Sequence, residues 1–78
     1  MFVYMVRCAD GSLYTGVAID VEKRVARHNL GKGSKYCRSR LPVHLVYTEE
    51  LGSFSLALKR EYAIKRMTRL AKEGLLRA

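Results

Sequence analysis

Two tyrosines, Tyr4 and Tyr14, an arginine and a histidine one helical turn apart, Arg24 and His28, and one acid set among cations, Glu61, could do chemistry in this chain. At about 100° per residue, Val21, Arg24, Val25 and His28 fall in one arc of a helix, so a cation and an imidazole share a stripe that Leu or Ile would ordinarily fill. Burying them costs desolvation unless they meet partners or a ligand. Farther along, residues 31–40 (GKGSKYCRSR) carry Lys32, Lys35, Arg38 and Arg40, no acid, and Tyr36 as the only aromatic. That composition suits contacts with backbone phosphates, with Tyr36 stacking on an unpaired base; a solvated basic loop is the alternative. Its glycines lack the GxxxxGK[ST] spacing and follow a helix rather than a strand, so a phosphate-binding loop of that type is excluded.

The elements that must position these residues are short, because the chain has 78 residues. That is room for one domain, spanning residues 1–78, with a marginal core. Fifteen Lys and Arg against 7 Asp and Glu leave a net charge of +8, which points to a polyanionic partner, DNA or RNA. At 49% hydrophobic and 28% charged, the composition is that of a globular protein. The longest uncharged apolar run, residues 1–6, is far below the roughly 20 residues of a membrane span and lacks a signal peptide's basic start, so a cytoplasmic protein without membrane contact is expected. Cys8 and Cys37 form no CxxC pair, which argues against a Cys-ligated zinc site and for reduced packing residues.

Residues 2–8 and 12–18 read as a β-hairpin around Ala9, Asp10 and Gly11. A three-residue loop with Gly11 left-handed is the expected connection, pairing Val6 with Tyr14 and Tyr4 with Gly16 and putting both tyrosines on one face, whereas a two-residue loop would put them on opposite faces. Asp20 can cap a helix over residues 21–30, stopped by Gly31. Residues 43–48, after Pro42, read as a third strand. Ser53 or Ser55 can cap a helix reaching Met67, with Leu56, Ala57, Ala63, Ile64 and Met67 as its apolar arc and Glu61 at the edge. Thr68 can cap a last helix carrying Leu70, Leu75 and Leu76. The expected fold is therefore α+β, a three-stranded antiparallel sheet flanked by helices in the order β-β-α-β-α-α.

The ordered set Val3-Tyr4-Met5, Tyr14-Thr15-Gly16, Arg24, His28 and Glu61 resembles the GIY-YIG nuclease superfamily, most closely its small single-domain bacterial members. Val-Tyr-Met stands at the GIY triplet and Tyr-Thr-Gly at YIG, with Arg24 and His28 following Tyr14 by 10 and 14 residues. The first triplet keeps only its tyrosine, and Thr15 replaces the isoleucine of the second.

The resemblance implies a metal-dependent endonuclease acting on nucleic acid, DNA ahead of RNA, in repair or in clearing unusual structures. Glu61 would hold one divalent cation, Mg²⁺ in the first place and Mn²⁺ as the other choice, because a single carboxylate suits an ion that keeps most of its waters. Arg24 would bind the non-bridging phosphate oxygens through its planar fork. Tyr14 would orient or deprotonate the attacking water, a task for which a phenol, ordinarily near pKa 10, needs nearby cations. Tyr4 would orient water or phosphate, His28 would assist Tyr14 or bind phosphate, and Gly16 would leave room for substrate over the sheet.

Taken singly, each residue has a packing explanation. Strand tyrosines ordinarily pack, His28 could be a satisfied core histidine, and Glu61 with Lys65 makes an ordinary i,i+4 helix pair. The set weighs more than its members, since five accidents in family order are needed to produce it. The alternative function is a nucleic-acid-binding module on the same fold with little or no catalysis. The two differ in whether Tyr14, Arg24 and Glu61 converge on one cleft.

Overall fold

Side chains alternate along a strand, and the first strand here is apolar on both faces, so it must be covered on both. In the computed structural model, which describes residues 1–77, β1 (Phe2–Arg7) lies between β2 (Leu13–Ala18) and β3 (His44–Glu50) in an antiparallel sheet of order β2-β1-β3. Tyr4 and Val6 point to the side covered by α1 (Val21–Asn29) and α2 (Lys35–Arg38), packing with Cys8, Ala18, Val21, Cys37 and Val43. Val3 and Met5 point to the other side, where α3 (Phe54–Lys65) and α4 (Arg69–Leu76) supply Ala57, Ile64, Leu75 and Leu76. No helix among the described residues is long and apolar enough to cross a membrane.

The hairpin uses the three-residue connection. Gly11 takes a left-handed φ of 86°, Cys8 N–H donates to Ser12 O at 2.8 Å, and Val6 pairs with Tyr14 and Tyr4 with Gly16. Asp10 Oδ1 accepts from both the backbone N–H and the hydroxyl of Ser12, closing the turn. Both tyrosines therefore project from the same face of the sheet.

Asp20, Ser53 and Thr68 cap α1, α3 and α4 through their side-chain oxygens, as their positions ahead of each apolar pattern led one to expect. The order β-β-α-β-α-α holds with one addition. Residues 31–40 are not all loop: Ser34 caps the four-residue α2 by accepting from Tyr36 N–H, and Cys37 seals it by full burial. A helix this short has no periodicity to read and forms through its cap and its packing. On α3 the apolar arc is narrower than expected. Ala57 and Ile64, about 20° apart around the axis, are buried, whereas Leu56 and Ala63, about 100° away, face solvent. Leu70 on α4 is also exposed.

Candidate active site

The site is built around a buried histidine. Val21 anchors the start of α1 against the sheet, and two turns later His28 enters the core at 2% exposure with one hydrogen bond at each ring nitrogen. Ser34 N–H donates to Nδ1 at 3.2 Å, so Nδ1 is unprotonated, the proton is assigned to Nε2, and Nε2–H donates to Tyr4 Oη at 2.8 Å. Burial, reinforced by the nearby Arg24 guanidinium, holds His28 below the ordinary imidazole pKa.

Tyr4 itself is fully buried. Burial, with Tyr14 adding to it and Arg24 opposing, pushes its phenol up to about 12, so it stays protonated. The expected direct contact of Tyr4 with water or phosphate is not open in this geometry; its phenol meets His28 instead. Gly16 is corrected in the same way. A Cβ there would lie 2.6 Å from Tyr4 Oη, so the space over Gly16 holds the Tyr4 ring and not a substrate. Gly33 has the matching role on the other side, because a Cβ at that position would meet His28 Cε1 and Cγ at 2.8 Å.

Above this buried pair lies an open cleft of about 570 Å³ lined by Tyr14, Arg24, Arg27, His28, Lys32, Gly33 and Ser34. Tyr14 contacts the His28 ring edge-on at 5.4 Å between centroids, and its hydroxyl makes no hydrogen bond among the described residues. Arg24 is not buried in the helix stripe: it is exposed at the cleft rim, with Nη1 donating to Val17 O at 3.3 Å. Arg24, Arg27 and Lys32 form no ion pair among the described residues, so the cleft presents three uncompensated cations beside a free phenol.

The other expected residues fall in three groups. Lys35 and Arg38 are exposed on α2 without ion pairs among the described residues. Tyr36 stacks on Tyr14 at 6.0 Å, and Arg40 lies 3.9 Å over the Tyr36 ring while donating to Asp10 Oδ2 at 3.0 Å and Tyr36 O at 2.7 Å. Arg40 is thus committed to tying the hairpin turn to α2, which corrects its expected place among the phosphate contacts. Glu61 stands outside the cleft lining. Its Oε2 is 3.3 Å from Lys65 Nζ, and that ammonium is in turn 5.9 Å from the Tyr14 ring centroid, so Lys65 links the acid on α3 to the tyrosine on β2.

No group of three or more His, Cys, Asp or Glu side chains among the described residues could cage a metal. A single carboxylate, one-fifth exposed, fits a hard divalent ion that keeps its waters and takes further ligands from substrate, and does not fit a caged transition metal.

The Glu61–Lys65 pair read from the i,i+4 spacing is present, whereas Arg27, Gly33 and Ser34 were not among the expected site residues. The spacing of Arg24, Arg27 and His28 could have revealed the first, but Gly33 and Ser34 matter only because of where His28 ends up.

The family model described as the GIY-YIG catalytic domain matches residues 1–73. A UPF0213 protein of Staphylococcus aureus (strain Mu3 / ATCC 700698) is 58% identical over 76 residues, covering 97% of this chain and 93% of that protein. Two solution NMR structures share the fold. The UPF0213 protein from Bacillus halodurans is 44% identical with TM-score 0.62, covering 96% of this chain and 80% of that one. A protein from E. faecalis is 40% identical with TM-score 0.65, covering 97% and 81%. With its two tyrosines on adjacent strands, its Arg and His on the following helix and the family model matched over nearly its whole length, the chain belongs to the GIY-YIG nuclease family.

Proposed function

We propose that the protein is a metal-dependent endonuclease acting on DNA. The observation that carries this reading is the convergence of Tyr14, Arg24 and His28, from two separate elements, on one cationic cleft. Arg24 and Arg27 bind the non-bridging oxygens of a phosphodiester, where a guanidinium fork matches the charge that grows as the phosphorus becomes five-coordinate. The free Tyr14 hydroxyl orients the attacking water by hydrogen bonding, and the water oxygen bonds to phosphorus as the opposite P–O bond breaks and its proton leaves to solvent. His28, with both nitrogens occupied, acts by fixing the Tyr14 ring edge, and Tyr4 fixes His28. A divalent ion held by Glu61 would supply Lewis-acid stabilisation of the leaving oxygen.

The position of Glu61 outside the cleft, engaged by Lys65, favours a second reading: a nucleic-acid-binding module with little or no catalysis. Cleavage of labelled single-stranded, duplex, flap and branched DNAs with Mg²⁺ or Mn²⁺ separates the two. For the nuclease, Glu61→Ala and Tyr14→Phe each lower the rate at least about 10²-fold while DNA binding persists. Equal binding with no cutting of any substrate by wild type or variants would establish the binding module instead.

A further inference from the structure

Away from the cleft, α3 leaves a ridge uncovered. Phe54, Leu58 and Tyr62 are 56%, 41% and 62% exposed, although they sit on the helix that buries Ala57 and Ile64. Spaced by four residues, they advance about 40° per step and form one line about 12 Å long. Scattered exposed apolar residues are ordinary, but a line of three with two aromatic rings marks an interaction surface. The far ring is held in place: Arg66 Nη1 donates to Tyr62 Oη at 2.9 Å, and the guanidinium lies 5.3 Å from the ring centroid. Such a clamp lowers the entropy cost of receiving a planar ligand on the open face.

Charge decides the occupant. Lys59, Lys65 and Arg66 flank the ridge, the one acid of α3, Glu61, is paired with Lys65, and the whole molecule carries +8. A second copy would set these cations against their own kind, whereas a nucleic-acid strand brings phosphates for the cations and rings for the ridge. We propose that Phe54, Leu58 and Tyr62 form a stacking surface for the unpaired bases of a nucleic-acid strand whose phosphates run along Lys59, Lys65 and Arg66. The proposal deepens the nuclease reading, since the ridge borders Glu61 and would hold a frayed or single strand leading to the site.

The test is fluorescence anisotropy in EDTA, so that binding is read without cleavage, comparing an oligothymidylate with an abasic strand of the same length. Wild type binds the base-bearing strand about tenfold or more tightly than the abasic one, from stacking alone. Phe54→Ser/Tyr62→Ser loses that preference with an unchanged salt slope, as does Phe54→Ser alone in part, and thermal melts report that both remain folded. The proposal is overturned if the double variant keeps the full preference, if wild type has none, or if wild type is a dimer by sedimentation and the variant a monomer. Failure of the nuclease reading is a separate result, because it leaves this preference in place and abolishes only cutting.

Discussion

His28 spends both ring nitrogens on the protein, and only the neutral ring can do so: protonation at Nδ1 would set a cation against Ser34 N–H in a buried site beside Arg24. Its pKa is lowered on folding, so the unfolded chain takes up the proton first as pH falls. The stability that His28 contributes is therefore complete above its unfolded pKa of about 6.5 and is lost as pH drops through the lower folded value. Urea midpoints should fall between pH 7 and pH 5, and His28→Gln should flatten that fall. Asp10 and Glu73, whose carboxyls are held down by Ser12 and Arg7 respectively, act in the same direction but below the ordinary carboxylate values of about 4, outside this window.

At the scale of elements, the two edge positions of the sheet differ in what they tolerate. On β2, Gly16 faces Tyr4 at a distance no Cβ can share, whereas its neighbour Thr15 points the other way, toward α3, with its hydroxyl buried and without a partner among the described residues. An orphaned buried hydroxyl costs about 1–3 kcal/mol. Thr15→Val, which keeps the branched shape, should raise stability by about 1 kcal/mol in a urea titration, and a lower midpoint would mean that the hydroxyl finds a partner. Pairing of β1 with β2 also explains why the hairpin was legible beforehand. Loop length, Gly11 and side-chain alternation are local, so residues 2–18 carried their own register, while α2 depended on the burial of Cys37 and could not be read locally.

For the whole molecule, charge is unevenly spent. Arg7, Arg40, Arg60 and Arg69 are paired with Glu73, Asp10 and Glu49, while Arg24, Arg27, Lys32, Lys35 and Arg38 remain without ion pairs on the side of α1 and α2. If those five each meet one phosphate, they should contribute about −3.5 to the slope of log K against log salt for a single strand. Arg27→Gln should reduce its magnitude by about 0.7, whereas Arg40→Gln, already held by Asp10, should leave it unchanged.

The excess of positive charge, the order of the strands and of every helix but α2, the hairpin register and the identity of Tyr4, Tyr14, Arg24, His28 and Glu61 were determined by the sequence, because each rests on residue type and on spacing within a few turns or a single loop. Which of them touch one another was decided only by the tertiary structure. Tyr4 and His28 lie 24 residues apart, and their hydrogen bond exists because α1 folds back over the face of the sheet that Gly16 leaves bare. The same packing turned Tyr4 from a substrate contact into a support, committed Arg40 to Asp10, and left Glu61 beside Lys65 at the margin of the cleft. Contacts between elements depend on how whole surfaces fit, and no local pattern carries that information.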